Sequence, residues 1–392
     1  MTMEHPLPGN LLHAFAAAPL PDYASPNLRP PMGQHNDRIY GLQQAILQQT
    51  LDRLAAEAGL AAALRALYDQ QVDIGFIQDD LSQVSYFRYR APGNHGQHFF
   101  IVQFNPRRAE RFKGAGRTVV PRGAQVRGVA DASCYLCTDN IRWQHRGVQG
   151  YYQYCVNGRL YNALCNPFPF TRTHLTMAAG EHLPQSFHVT NSPDETHARI
   201  RRIVEDLYGI AEQLPSFVGF YNGAGAGASI EKHLHFHFFE IPDGHGSFPI
   251  QTAARLARQS LFAQAQGSHP AQVVAIPDYP LMAYQVRSAK AEAVQAVVDL
   301  AVDWDRRAGE AASANIVALW EEGAVSLYFV PRNRFYTRSP GLAGMVAGLE
   351  TLGEFIFSTD DEQRAINEQR VNYDYLWRIL EAVRPAEDGE PG

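Results

Sequence analysis

The sequence predicts an α+β fold made of two duplicated halves, each an antiparallel sheet with packed helices, and one active site. Two observations support this. Apolar residues recur with a helical period in some segments and alternate in others, which indicates amphipathic helices and half-buried strands. The order helix, strand, turn, strand also occurs twice, within residues 193–241 and within residues 289–330. The second copy carries Ser326, Tyr328 and Val330 where the first carries histidines, so we expect the site in the first half alone.

The chain divides into three predicted parts. Residues 1–37 are rich in proline and lack periodicity, which predicts a poorly ordered arm. Residues 38–250 form the first, catalytic half. Residues 251–392 form a degenerate second half that ends in a helix before an acidic tail.

The individual elements follow from spacing. Helical periodicity over residues 38–71, interrupted at Gly59, predicts two helices. Alternation over residues 84–104, with a turn at residues 92–94, predicts a hairpin. Further strands are predicted at 150–156, 161–166, 175–178, 216–221, 233–241, 315–320 and 325–330, and further helices at 193–214, 289–308 and 361–383.

Composition excludes several classes of function. The formal net charge of −6 over 392 residues argues against a general nucleic-acid binder, because little neutralises a phosphate backbone. No stretch approaches the roughly 18 apolar residues of a membrane span, and the N-terminus lacks the basic region of a signal peptide. We therefore expect neither a nucleic acid nor a membrane as partner.

The four cysteines indicate a reduced, cytoplasmic setting, since so few in a long chain form no disulfide framework. Cys155 and Cys165 lie in apolar, strand-like surroundings, and we expect both to be buried. Cys134 and Cys137 have Cys-x-x-Cys spacing, which can supply two corners of a tetrahedral zinc site. The alternative is an accidental pair of thiols.

The most informative segment contains three histidines at every second position, His233, His235 and His237, separated by apolar residues. A period of two places all three imidazoles on one face of a strand. The segment follows a glycine turn, Asn222–Ala228, and Ser229, whose backbone N–H groups can face an anion. A neutral imidazole is a nucleophile and a proton carrier near neutral pH, so the pattern predicts a phosphate-handling site.

These residues resemble the histidine triad superfamily, whose motif is His-φ-His-φ-His-φ-φ with φ apolar. Residues 166–182 are similar to its first-half pattern, Pro-x-His-x-Leu-x-Ile-Pro-x-x-His, although Arg172 replaces the first proline. The Cys-x-x-Cys pair lies where the branch related to galactose-1-phosphate uridylyltransferase binds zinc. Within that branch, the chain looks most like the GDP-hexose phosphorylases. The likeness lies in three segments: the residues around Cys134, residues 166–169, and Gly-Ala-Ser at 227–229. The similarity covers about residues 85–245.

The resemblance implies a role for each motif residue. One structural zinc ion per chain would be held by Cys134, Cys137, His182 and His233. His235, the middle histidine, would attack the α-phosphorus of a nucleotide and form a nucleotidyl-imidazole intermediate.

The glycine turn and Asn166 are the expected nucleotide contacts. The Ser229 hydroxyl and the N–H groups from Gly225 through Gly227 to Ser229 would stabilise charge on the phosphate oxygens. Asn222 would orient phosphate or ribose, and Asn166 would face the ribose hydroxyls. Phe168 or Phe170 would flank a purine, or either would be plain core. His174 falls at the first-half histidine position, where we expect a packed side chain.

The acceptor stays open because His237 stands where transferases of the branch usually carry Gln and hydrolases carry His. A histidine can protonate a leaving group or activate water. Phosphate, sugar phosphate and water are thus all candidate acceptors.

The sequence predicts a nucleotidyltransferase that acts on a nucleoside diphosphate sugar, like a GDP-hexose phosphorylase. Alternatives within the superfamily are a dinucleoside polyphosphate phosphorylase and a nucleotide hydrolase. An alternative of another class is a catalytically silent nucleotide-binding protein. Members of the family often form dimers, so a homodimer is one option.

Overall fold

The computed structural model describes residues 34–93, 96–113, 134, 136–141, 149–264 and 273–386, which divide into two units. The first unit combines the residues up to Asp80 with Glu110–Leu183 and Lys232–Glu240. The second combines Leu81–Ala109, Pro184–Glu231 and the residues from Ile241 onwards. Residues 1–33 of the predicted arm lie outside the described residues. The predicted boundary at residue 250 is a different division of the chain and stays a prediction.

The first unit contains two long helices and a four-stranded sheet. Gly59, at φ +87°, separates α1 from α2 as the sequence predicts, because a positive φ is incompatible with a continuous helix. The sheet is antiparallel throughout, in the order β3-β4-β5-β7. The described elements are α1 (Gln34–Ala58), α2 (Leu60–Asp73), α3 (Thr138–Ile141), β3 (Tyr151–Val156), β4 (Arg159–Cys165), β5 (Leu175–Ala179) and β7 (His235–Glu240).

Strand register in this sheet separates an apolar row from a polar one. Tyr152, Ala163, Met177 and Phe236 are successive cross-strand partners, and all four are buried. One position along, the row runs from Gln153 through Asn162 and Ala178 to His235. Because neighbours along a strand face opposite ways, the register fixes the face of the sheet on which the histidines lie.

The second unit contains the helix and the first strand of the first predicted copy, within residues 193–222, and the whole of the second copy, within residues 290–333. Its larger sheet is antiparallel, in the order β6-β10-β11-β9-β8, and a smaller sheet has the order β1-β2-β12. Strand β12 pairs parallel to β2, a long-range pairing that was not predicted from the sequence. The described elements are β1 (Ser85–Arg90), β2 (Phe99–Phe104), α4 (Pro193–Glu212), β6 (Phe217–Asn222), α5 (Pro249–Gln264), β8 (Val273–Ala275), β9 (Tyr284–Val286), α6 (Lys290–Ala308), β10 (Ala312–Glu321), β11 (Ala324–Asn333), α7 (Gly348–Thr351), β12 (Glu354–Phe357), α8 (Asp360–Asn367) and α9 (Tyr373–Glu381).

The second half has no histidine face, in agreement with the sequence. Ser326, Tyr328 and Val330 are all fully buried on β11. The Tyr328 hydroxyl donates to Glu321 Oε1 at 2.8 Å and accepts from Gln285 Nε2 at 2.7 Å. The side chains of Tyr328, Glu321 and Gln285 therefore satisfy one another inside this half.

Two sequence-based expectations were wrong. The last helix, predicted over 361–383, is split into α8 and α9. Gln369 has φ +57°, and Asn372 starts the second helix by accepting a hydrogen bond from Tyr375 N–H at 2.8 Å. Cys155 is exposed, because alternation along β3 turns it away from the face that buries Tyr154. Cys165 is buried as expected. Within the described residues, no helix has the length and apolar character needed to cross a membrane.

Candidate functional site

The three triad histidines lie in the first unit, at the start of β7. The strand begins at His235, so His233 precedes it rather than belonging to it as predicted. His235 is 1% exposed and His237 is half-buried. The rings of His235 and His237 have centroids 5.2 Å apart, as expected for alternate residues on one face of a strand.

A backbone hydrogen bond fixes the protonation pattern of His235. Its Nδ1 lies 2.7 Å from the carbonyl oxygen of His233. A carbonyl can only accept, so Nδ1 carries the proton and Nε2 carries the lone pair of the neutral ring. Burial is the main cause that lowers the pKa of His235 to about 4, well below its usual value. At neutral pH the ring is therefore an uncharged imidazole with a nucleophilic Nε2.

His174 contacts the third triad histidine. Its Nε2 lies 3.3 Å from Nδ1 of His237, and its ring lies against Phe170 with centroids 4.0 Å apart. His174 is 1% exposed, so the expected packed side chain is present. The contact with His237 was not predicted from the sequence. The sequence signal that could have indicated this contact is the position of His174 in the first-half pattern.

The candidate ribose and base contacts lie beside this pair. Asn166 is half-buried, and its Oδ1 accepts a hydrogen bond from Phe168 N–H at 2.9 Å. Its own N–H donates to the carbonyl of His174. Phe170 packs edge-on against Phe239 in the core, whereas Phe168 is half-buried. Of the two aromatics, Phe168 is therefore the more exposed.

The predicted metal ligands come together in one cluster. One ligand atom from each of Cys134, Cys137, His182 and His233 lies within 4.8 Å of every other. Cys134 Sγ is 3.4 Å from His233 Nδ1, and Cys137 Sγ is 3.1 Å from His182 Nδ1. Bonds of about 2.3 Å to sulfur and 2.0 Å to nitrogen place ligands of a tetrahedral zinc about 3.5 Å apart. The spacing fits a tetrahedral ion of this size.

Neighbouring groups prepare this cluster for a metal ion. His233 Nε2 lies 2.7 Å from the carbonyl oxygen of Ala179, so it carries the proton and leaves the Nδ1 lone pair facing the thiols. Burial is the main cause that lowers the pKa of His233, which favours this neutral, ligating form. Asn140, which no sequence motif indicates, donates from Nδ2 to the carbonyl of Cys134 at 2.6 Å and so braces the Cys-x-x-Cys turn. The cluster could therefore hold a metal ion.

The glycine turn belongs to the second unit. Gly225 and Gly227 have φ of +71° and +96°, in the left-handed region that favours glycine. A Cβ at Gly225 would also lie 2.1 Å from the Arg334 carbonyl oxygen. Gly225 N–H donates to Oε1 of the exposed Glu231 at 2.8 Å, so this turn already binds a carboxylate. Ser229 is exposed at the end of the turn.

Asn222 stabilises the start of the turn through side-chain hydrogen bonds. It is 3% exposed, and its Oδ1 accepts hydrogen bonds from Asn315 Nδ2 and Gly348 N–H, both at 2.8 Å. Any contact of Asn222 with a nucleotide would thus have to use its Nδ2. The first unit brings together the triad and the four cluster residues, and the second brings together Asn222, the turn and Ser229.

Residues 67–240 match a family described as a domain of unknown function (DUF4922). Comparison with curated proteins gave no significant match.

Solved structures give a match of fold. Yeast Ap4A phosphorylase Apa2 aligns with a TM-score of 0.50 and 13% identity over 82% of this chain and 95% of its own. An ADP-glucose phosphorylase from Arabidopsis thaliana aligns with a TM-score of 0.33 and 13% identity over 77% and 100%. The chain therefore shares the fold of yeast Ap4A phosphorylase Apa2.

Proposed function

We propose that this protein is a nucleotidyltransferase that works through a covalent nucleotidyl-His235 intermediate. The observation that carries the proposal is the hydrogen bond from His235 Nδ1–H to the His233 carbonyl. It holds a neutral imidazole on a buried strand with Nε2 as the nucleophilic atom.

In the first step, the Nε2 lone pair attacks the α-phosphorus of the nucleotide. The bond from phosphorus to the leaving oxygen breaks, and its electron pair departs with that oxygen. In the second step an acceptor oxygen attacks the same phosphorus, the N–P bond breaks, and neutral His235 returns. His237 can supply a proton to a leaving oxygen or remove one from the acceptor. By the sequence motif, Ser229 and the N–H groups of Gly225 and Gly227 stabilise the phosphate charge, and Asn222 and Asn166 orient the nucleotide.

We propose a nucleoside diphosphate sugar as substrate, on the strength of the motifs that resemble GDP-hexose phosphorylases. A dinucleoside polyphosphate is the second candidate, because the yeast structure that shares this fold is an Ap4A phosphorylase. Hydrolysis is the third, because His237 stands in place of the Gln of transferases. Assays with GDP-glucose, GDP-mannose, UDP-glucose and diadenosine tetraphosphate, each with and without phosphate, separate these candidates.

The metal cluster would hold zinc. Two thiolates and two imidazoles at tetrahedral spacing are the donor set that zinc prefers. With four protein ligands the ion would have a structural role. It would join the Cys-x-x-Cys turn to His233, just before β7. His233 would bind the ion through Nδ1, and its carbonyl accepts the hydrogen bond from His235, so the cluster would also support the nucleophile.

His235→Ala should abolish turnover, by at least about 1,000-fold, because no other group replaces the nucleophile. Incubation with α-phosphorus-labelled nucleotide should leave label on the wild-type protein and none on the variant. Equilibrium binding of nucleotide should change little. Substantial turnover by His235→Ala would refute the covalent mechanism, and a wild type that binds nucleotides without turnover would indicate the silent binding protein.

The purified protein should contain about one zinc ion per chain, and a Cys134→Ser, Cys137→Ser variant should lose it. Because metal binding contributes to folding free energy, the variant should unfold at a clearly lower temperature. Cys155→Ser is the matched control, since Cys155 is exposed and should affect neither metal content nor Tm. Metal analysis that finds no zinc after gentle purification would rule out the site.

A further inference from the structure

The glycine turn is held by polar residues of the second half that the proposed chemistry does not use. Ser313 and Asn315 lie on β10, and Arg332 lies on β11, directly across from Ser313. They are 3%, 0% and 0% exposed. Their side chains are therefore removed from solvent, and buried polar groups are costly unless they are hydrogen-bonded.

Ser313 and Asn315 donate to two carbonyl groups of the turn. Ser313 Oγ lies 2.7 Å from the carbonyl oxygen of Ala224, and Asn315 Nδ2 lies 2.7 Å from that of Ala226. The turn closes with a hydrogen bond from Ala226 N–H to the carbonyl of Gly223 at 2.8 Å. Three carbonyl groups of the turn thus have fixed donors.

The fixed carbonyls determine where the amide N–H groups point. A trans peptide unit is planar, so the N–H of each residue points away from the carbonyl of the preceding one. With the Ala224 and Ala226 carbonyls held by β10, the N–H groups of Gly225 and Gly227 face away from that strand. This orientation lets the N–H of Gly225 donate a hydrogen bond to an anion. In the structure, the carboxylate of Glu231 accepts that hydrogen bond.

Arg332 fixes the orientation of the Asn315 amide. Its Nη1 lies 2.6 Å from Asn315 Oδ1 and 3.0 Å from the carbonyl of Val346. Arginine has no acceptor, so the atom that faces it must be the amide oxygen, and Nδ2 must face the turn. An Asn turned the other way would place an oxygen against the Ala226 carbonyl.

We propose that Ser313, Asn315 and Arg332 are positioning residues that orient the N–H groups of Gly225 and Gly227 toward a phosphate. The degenerate half, which has lost the histidines, thereby contributes to substrate binding. This inference rests on the proposed function in one respect, the assignment of the turn to substrate phosphate.

The test compares two Ser→Ala substitutions in the same half. Ser313→Ala removes the donor to Ala224. Ser326→Ala is the matched control, because Ser326 is equally buried and its Oγ has no hydrogen-bond partner among the described residues. Titration calorimetry with pyrophosphate and with ADP should give a Kd about fivefold higher for Ser313→Ala, the effect of one lost hydrogen bond, and an unchanged Kd for Ser326→Ala.

Asn315→Asp provides a second variant of nearly the same shape. It places an acceptor against the Ala226 carbonyl, so the Kd for pyrophosphate should rise by at least about tenfold. A merely structural role would lower Tm in these variants and leave the Kd unchanged. Unchanged Kd values in both variants, or no binding of pyrophosphate by the wild type, would overturn the inference. Label trapped on His235 tests the proposed function independently of either result.

Discussion

At the scale of single residues, His237 is the position that should decide what accepts the nucleotidyl group. It is half-buried and touches His174 through Nδ1, at 3.3 Å from His174 Nε2. A histidine ring can take up or release a proton near neutral pH, so His237 can take part in proton transfer. A Gln at this position would hydrogen-bond phosphate equally well but could not carry a proton.

His237→Gln should therefore suppress hydrolysis of the nucleotidyl intermediate relative to its transfer to phosphate, by about tenfold or more. The measurement is the ratio of hydrolysed to phosphorolysed product at a fixed phosphate concentration. His197→Gln is the control, because His197 is exposed on α4 and should leave the ratio unaltered. An unchanged ratio in His237→Gln would mean that His237 only binds phosphate, which would favour a phosphorylase over a hydrolase.

At the scale of elements, helix α1 covers the outer edge of the first sheet with two glutamines. Gln44 donates to the Tyr151 carbonyl at 2.7 Å and accepts from its N–H at 3.2 Å. Gln48 makes the same pair of contacts with Gln153, at 2.7 and 2.9 Å. Four residues of helix advance about 6 Å and two residues of strand about 6.7 Å, so the two spacings match. Each amide thus takes the place of a neighbouring strand on β3.

Replacing both residues, Gln44→Met and Gln48→Met, should lower the free energy of unfolding by about 2 kcal/mol. Methionine keeps the bulk of the side chain but leaves four backbone contacts unmade. Urea denaturation measures the loss, and light scattering measures any new self-association through the open edge. Gln49→Met controls for the loss of a glutamine, since Gln49 is exposed on the same helix. Equal stability of the double variant and this control would contradict a structural role for the glutamines.

The glutamine contacts mark the limit of prediction from sequence at this scale. Periodicity predicts α1 and β3 separately, because each pattern is local. The contacts between Gln44 and Tyr151 join residues 107 apart, and no spacing rule connects them. The parallel pairing of β12 with β2 was missed for the same reason. The split between α8 and α9 depends on the positive φ of Gln369, a residue type that gives little local warning of such a turn.

The site was more predictable than the topology. The Cys-x-x-Cys spacing and the alternating histidines are local signals, and the resemblance added His182 and His233 to the metal cluster. The supporting groups were not predictable. Asn140 braces a turn through a backbone carbonyl, and Asn315 reaches Ala226 across 89 positions of sequence. Such residues carry no motif because their partners are backbone atoms, which are the same in every sequence.

At the scale of the whole molecule, a buried contact between a histidine and a glutamate should make stability depend on pH. His245 Nε2 lies 2.6 Å from Glu354 Oε2, and the two side chains are only 5% and 4% exposed. Burial disfavours the charged form of His245, and the positive charge of Arg88 also lowers the pKa of His245. The hydrogen bond and the negative charge of Glu354 outweigh both, so the pKa of His245 is raised above its usual value.

A raised pKa in the folded state means that folding favours the protonated form of His245. This stabilisation is fully present below the pKa of the unfolded chain, about 6.5, and it is lost as pH rises through the higher folded value. His245→Gln should therefore lower the free energy of unfolding by about 1–2 kcal/mol near pH 6, and by clearly less near pH 9. Urea denaturation of the wild type and the variant at both pH values measures the difference. His197→Gln, at an exposed position, should show no such dependence. The difference in stability between wild type and His245→Gln could instead stay constant from pH 6 to pH 9. His245 would then contribute through packing against Phe248, whose ring centroid lies 4.5 Å from its own, rather than through its charge.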